Sequence, residues 1–291
     1  MEHNSKLSDK IVNALDANLD GKVDIVDIVV LGMKAPGVRI DRNSFFKKEF
    51  SRYCSNEVIE SAIQTTPNQA GISSEIIDKI ADETIKFERN CVSGISAALG
   101  TPGGWAMTAT IPADIIQYYG YTLRAAQKLM YLYGYPSLQE ASIDTQIDSQ
   151  TMNALILCLG IMNGVAGANN AMKVMAKALA SGVEKQLLRR ALTKGTFYPI
   201  VKSIMKWFNV RLTKGLFASF FKKAIPVVGG VLGGSITFFS FKPCCVRLQK
   251  ALQDTALSNP DSILSEDEQV LYEELISDEE AAVGDDAAES E

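Results

Sequence analysis

Three stretches without one charged side chain set the tightest limit on what this chain can fold into. Asn90–Ala113 and Ser149–Met172 each run 24 residues, and Ala224–Phe241 runs 18. Each carries glycines one helical turn apart: Gly100 with Gly104, Gly160 with Gly164, and the doubled Gly229/Gly233 and Gly230/Gly234. Small residues at that spacing let helix backbones approach closely, in lipid or in the centre of a helical domain. A spanning helix needs roughly 20 predominantly apolar residues, so length alone admits up to three spans. Content argues otherwise. Pro102 and Pro112 interrupt the first run, and Asn153, Asn163, Asn169 and Asn170 punctuate the second. The expectation is a mainly α chain with buried or membrane-dipping hairpins. Ala224–Phe241, set between Lys222-Lys223 and Lys242, is the run best suited to enter a bilayer, and an integral membrane or pore-forming protein is the alternative.

Charge is segregated along the 291 residues, although the net value is only −5. From Lys173 to Lys250 there are 15 Lys or Arg against the single acid Glu184; from Ala251 to Glu291 there are 14 acids and no base. The basic block interleaves its charges with apolar residues at helical spacing, as in Lys202-Ser-Ile-Met-Lys206-Trp207-Phe208. Basic amphipathic helices with an aromatic at the boundary suit anionic headgroups, and the expected partner is an anionic membrane surface at its cytoplasmic face. Nucleic acid attracts the same charges, but no helix-turn-helix, RNP or zinc-finger signature accompanies them, and it is the weaker reading. The acidic end reads as a solvated tail. Within it Leu264, Val270, Leu271, Leu275 and Ile276 can form one short amphipathic helix, and the tail can fold back over the basic block.

Residue types then remove whole classes of chemistry. His3, read as part of a frayed N-terminal segment, is the only histidine, which argues against a Ser-His-Asp triad or a Cys-His pair. Cys54, Cys91, Cys158, Cys244 and Cys245 lack CxxC spacing and read as reduced, buried small hydrophobes rather than zinc ligands. No Walker A sequence, HExxH, GxSxG or dinucleotide fingerprint occurs, and no catalytic residue is assigned.

The sharpest local motif is Asp16-Ala-Asn18-Leu-Asp20-Gly21-Lys22-Val-Asp24-Ile-Val-Asp27. Calcium requires six to eight hard oxygen ligands, which a short loop supplies by curling round the ion. Asp16, Asn18 and Asp20 fall at loop positions 1, 3 and 5. Gly21 permits the bend at position 6, Lys22 offers a carbonyl at 7, Asp24 acts through water at 9, and Asp27 closes position 12. This is EF-hand-like, with Leu7, Ile11, Val12 and Leu15 on an entering helix and Ile25, Ile28, Val29 and Leu31 on an exiting one. Asp in place of Glu at position 12 is dockerin-like and weakens calcium, with magnesium the alternative ion; no second loop follows.

A longer pattern lies downstream. Gly103-Gly-Trp-Ala-Met, Ile111-Pro-Ala-Asp114, Leu123-Arg124-Ala-Ala-Gln127 and Tyr131-Leu-Tyr133-Gly134-Tyr135 occur in that order. Lys222-Lys223-Ala-Ile-Pro226-Val-Val-Gly229-Gly follows. Over about Glu75–Leu252 the chain resembles the EcsC family. That resemblance implies an α-helical domain of bacterial origin, membrane association, a membrane transporter complex as a partner, and no established catalytic residues.

The expected organisation is an EF-hand-like helix-loop-helix (1–36), a linker with connecting helices (37–72), an EcsC-like helical domain (73–257) and an acidic tail (258–291). The leading functional reading is a non-catalytic, membrane-associated accessory protein. Its candidate ligand or lipid contacts are Asp114, Arg124, Tyr133, Lys202, Lys206, Trp207, Lys222 and Lys223. The second reading is an enzyme or a small-ligand or phospholipid-binding protein, with a cleft near Asp114, Arg124 and Tyr133.

Overall fold

The computed structural model describes residues 12–100, 107–138, 149–183, 190–223 and 228–288. Their side chains are described except at 99–100, 107–111, 149–150, 211–223, 228–236 and 278–288. The Gly103-Gly-Trp-Ala segment and Ala224–Val227, both part of the EcsC-like pattern, lie outside the described residues. Among those described, the regular elements are helices and no strand occurs. They are α1 (Ile25–Lys34), α2 (Arg42–Phe50), α3 (Asn56–Gln64), α4 (Ser74–Gly100), α5 (Met107–Leu132), α6 (Ser149–Met162), α7 (Ala168–Ala180), α8 (Tyr198–Lys223), α9 (Val228–Gln253) and α10 (Glu266–Ala288). The mainly α expectation holds. Pro112 does not end its helix as expected. It sits inside α5 near the N-terminus, where few preceding carbonyls exist to lose a donor.

The chain divides into two compact units, each drawn from three stretches. The first takes Met1–Asp41, Asp78–Lys128 and Met205–Val246. Its core gathers Ile28, Val29 and Met33 of α1, Ile80, Ile85 and Val92 of α4, Leu123 and Ala126 of α5, and Phe208 of α8. Glycines decide how α1 meets α5. A Cβ on Gly32 would stand 3.0 Å from Leu123 and 3.7 Å from the Gly120 Cα, so the two helices cross at a Gly–Gly contact. Gln127 then ties the chain after α1 to α5. Its buried Nε2 donates to the Val38 and Leu123 carbonyls, each at 3.0 Å, while its Oε1 accepts from the Ile40 N–H at 3.2 Å. Backbone groups that no helix satisfies thereby find partners.

The second unit takes Arg42–Ile77, Leu129–Ile204 and Arg247–Glu291. Arg42 organises its first corner. The guanidinium donates to the Ile63, Ala62 and Thr65 carbonyls at 2.8, 3.1 and 3.0 Å, which are acceptors left open at the end of α3, and it lies 4.4 Å from the Phe46 ring. The centre is α6. Leu155, Ile156, Leu157, Cys158 and Leu159 are all fully buried, as an uncharged helix apolar on every face demands. Asn153 is accommodated because its Nδ2 donates to the Leu192 carbonyl at 2.9 Å.

Helix ends in this unit share one device. Gly134, Gly164 and Gly182 adopt φ of +91°, +70° and +81°. The next N–H bonds back to the helix: Tyr135 to Met130, Val165 to Gly160 and Val183 to Ala178. This is the left-handed stop that glycine favours. The Tyr-Gly pair in the EcsC-like pattern is thus a helix terminator. It also separates the roles of the second spaced glycine pair. Gly160 makes a close approach, with an added Cβ falling 2.5 Å from Ile204 Cδ1 and 3.2 Å from Ala168 Cβ, whereas Gly164 turns the chain.

The acidic end folds as α10 and packs on α7 within this unit. Ser265 and Glu268 form a capping box, with the Ser265 N–H donating to Glu268 Oε2 at 2.8 Å and the Glu268 N–H to Ser265 Oγ at 3.4 Å. Leu275 is fully buried, while Val270 stays exposed. Lys173 of α7 receives the acids, with its Nζ 2.5 Å from Asp254 and 3.7 Å from Glu268. Burial works against its charge, but these partners outweigh it and hold the Lys173 ammonium above its ordinary range.

Packing around the two kinds of glycine gives opposite expectations. Gly160→Leu should lower the urea midpoint by about 1–3 kcal/mol of stability or more, because buried Ile204 has nowhere to move. Gly94→Ala, in α4 with no atom within 4 Å of the new Cβ, should gain up to about 1 kcal/mol.

Candidate functional site

Three features of the first unit, each traceable to local sequence, bear on function. The first is the loop before α1. Ala17–Asp24 folds around its own amides: Asp16 accepts from the Asp20 N–H at 3.2 Å and the Gly21 N–H at 2.8 Å, and Asn18 accepts from Asp20 at 2.9 Å. Asp20 accepts from Lys22 at 2.9 Å. Leu19 and Gly21 take positive φ of 62° and 83°. Asp24 caps α1 by accepting from Val26 and Asp27, while Asp27 accepts from Ala17 at 3.1 Å and from Asp24 at 2.9 Å. The α1 N-terminus is further fixed by Asn209 of α8, which accepts from the Ile25 N–H at 3.2 Å.

Among the described residues no three His, Cys, Asp or Glu side chains gather as a metal-binding group. The acids face the loop's own N–H groups instead. A carboxylate has about four acceptor positions, however, and each loop carboxylate accepts from at most two amides. Asp27 carries the mark of crowded negative charge: burial first, and then the Asp24 and Asp16 carboxylates, push it above the usual carboxylate range despite two backbone donors. A cation would relieve that repulsion.

The second feature is a buried charge cluster. Glu88 of α4 is fully buried and accepts from Arg124 Nε at 3.1 Å, Arg124 Nη2 at 3.3 Å and Lys128 Nζ at 2.6 Å. Arg124 also donates to the Gly37 carbonyl, and its guanidinium lies 5.5 Å from the Tyr121 ring. Arg124 was singled out in the sequence; Glu88 and Lys128 were not. The signal was available. Ala81, Ile85, Glu88 and Val92 recur at heptad spacing and are all buried, so an acid stands in an apolar stripe. Of the other proposed cleft residues, Asp114 is half-buried on α5. Tyr133 belongs to the second unit, where it is buried and its carbonyl accepts from Ser258 at 3.1 Å.

The third feature is aromatic and exposed. Phe87 of α4 is 56% exposed and Phe239 of α9 is 74% exposed. Arg89 of α4 lies 4.0 Å from the ring of Phe238 on α9, and Phe238 meets Phe239 edge-on at 5.6 Å. Lys86 and Lys242, on the same two helices, are exposed. Among the described residues, most large apolar side chains are buried, and these aromatic rings are left in water beside cations. On α8, Lys202 and Lys206 are exposed, while Trp207 is half-buried and packs edge-on against Phe208 at 4.9 Å. The side chains of Lys222 and Lys223 lie outside those described.

Tyr119 packs on Phe208 at 6.4 Å, and burial pushes its phenol up to about 12. Compared with protein families, curated proteins and solved structures, the chain matches none.

The charge cluster yields a direct expectation. Glu88→Ala leaves two cations facing a desolvated space and should cost about 3–5 kcal/mol, read as a fall in denaturant midpoint. Arg124→Met and Lys128→Met together with Glu88→Met should cost much less than Glu88→Ala.

Proposed function

We propose that this protein is a non-catalytic accessory protein, EcsC-like in kind, that rests on anionic lipid surfaces and holds a divalent cation in its N-terminal loop. The observation that carries the lipid reading is the exposed Phe238–Phe239 pair on α9, with Arg89 of α4 over the Phe238 ring and exposed Lys242 one turn further along α9. Rings of this kind insert at the headgroup boundary while the cations meet lipid phosphates. Each Lys or Arg near an anionic leaflet adds about 1 kcal/mol. No helix among the described residues is long and apolar enough to cross a membrane. Arg124 spends its donors on Glu88 and the Gly37 carbonyl, which counts against a ligand cleft built on it. The ordered motifs from Leu123 to Gly230 support a relationship to the EcsC family and a membrane transporter complex as partner.

In the loop, Asp16, Asn18, Asp20, Asp24 and Asp27, with the Lys22 carbonyl, would supply hard oxygens to calcium or magnesium. The cation contributes charge neutralisation there. The chain's own part is to hold Asp24 and Asp27 at the start of α1, whose N-terminus is fixed to α8 through Asn209.

Vesicle co-sedimentation tests the lipid reading. Binding is expected to vesicles containing phosphatidylserine and not to neutral ones. Phe238→Ser with Phe239→Ser should weaken it at least about tenfold with little change in melting temperature. Equal binding to both vesicle types, or none, would refute it. For the loop, millimolar calcium should raise the melting temperature and Asp16→Ala should abolish the rise. A cation at 100 times its dissociation constant adds about 2.7 kcal/mol. The rise should shrink as pH falls towards the elevated titration range of Asp27, because the ion must displace a bound proton.

A further inference from the structure

The second unit contains a groove that the lipid and cation readings do not use. It has a volume of about 420 Å³ and runs between the α6–α7 turn and the last turns of α9. Ile161, Val165 and Ala251 supply apolar wall, while Arg247 and Lys250 stand on one side, one turn apart on α9. A volume of this order suits a small organic molecule.

Two cations and one acid stand around the groove. Arg247 is pinned: its Nη1 donates to the Met162 carbonyl, and it lies along Gly164, where a Cβ would stand 3.9 Å from its Cζ and Nε. Among the described residues its Nε and Nη2 have no acceptor, and Lys250 is exposed. Opposite them α7 begins at Gly167, which adopts φ +81° and offers no side-chain cap. The Ala168 N–H is used within the turn, at 3.3 Å from the Val165 carbonyl. The N–H groups of Asn169 and Asn170 have no partner among the described residues, and Asn169 lines the groove. Asp254 also lines it, but its carboxylate is already held by Lys173 at 2.5 Å.

We infer that this groove binds the phosphoryl group of a small organic phosphate whose body rests on the apolar wall. Two cations match the charge of a phosphate monoester, the Arg fork matches its oxygens, and an uncapped helix start supplies further donors. The same chemistry is offered by a soluble metabolite and by a phospholipid headgroup. The site shares no residue with the Phe238–Phe239 surface or with the N-terminal loop, so it stands apart from the function proposed above.

Titration of the full chain with glycerol 3-phosphate tests it, with glycerol and sodium chloride at matched ionic strength as controls. A saturable rise in melting temperature is expected with the phosphate alone. Lys250→Ala removes no contact that the fold uses and should weaken binding at least about tenfold. Lys194→Ala, at an exposed position before α8, should leave it unchanged. Phosphatidate vesicles form the second arm. A Lys250-dependent gain confined to vesicles assigns the ligand to lipid, and one seen with glycerol 3-phosphate assigns it to the soluble pool. No saturable response in either arm, or equal losses from Lys250→Ala and Lys194→Ala, overturns the inference.

Discussion

An uncharged helix has no face it can present to water, so everything near α6 is arranged to cover it. Its five consecutive fully buried residues from Leu155 to Leu159 leave no stripe for solvent, and its few polar groups must be answered from within. Asn153 is answered by the Leu192 carbonyl. Gly160 allows Ile204 and Ala168 to close on the backbone. The same constraint makes its end abrupt. At that end Asn163 donates back to the Leu159 carbonyl and a left-handed glycine at 164 turns the chain towards α7. Beside the groove, α7 then starts with its Asn169 and Asn170 amides unspent.

Charge is handled differently in the two units. In the first, one buried acid holds two cations, and the fold tolerates the desolvation because each Glu88 oxygen has a close donor. In the second, the acidic end of the chain packs as α10 on α7 and meets the basic block at Lys173. The tail is therefore a structural helix at least as far as Leu275 rather than a purely solvated segment. Its capping box at Ser265 and Glu268 starts it, and Glu268 serves both the cap and Lys173.

Exposed aromatics and an acid-rich loop are costly features for the same reason: each leaves an interaction incomplete within the chain. Phe239 gains nothing from water, and Asp27 is crowded by two neighbouring carboxylates. A lipid surface and a divalent cation are the partners we propose for them, and that shared logic unites the two parts of the proposed function.

The sequence by itself determined the class of fold. Helical spacing, uncharged runs and glycine stops are local properties, and local hydrogen bonds enforce them. It also determined the loop, because Asp16 to Asp27 are close enough in sequence for their side chains to bond their own amides. Only the tertiary structure decided which charges meet. Glu88 and Arg124 lie 36 residues apart, and Lys173 of α7 meets Asp254 just past the end of α9, so no spacing rule pairs them. The same holds for the Gly32–Gly120 crossing and for the meeting of Arg89 with Phe238. These contacts depend on how helices distant in sequence stack, and that is set by the shape of whole buried faces rather than by any one residue's neighbours.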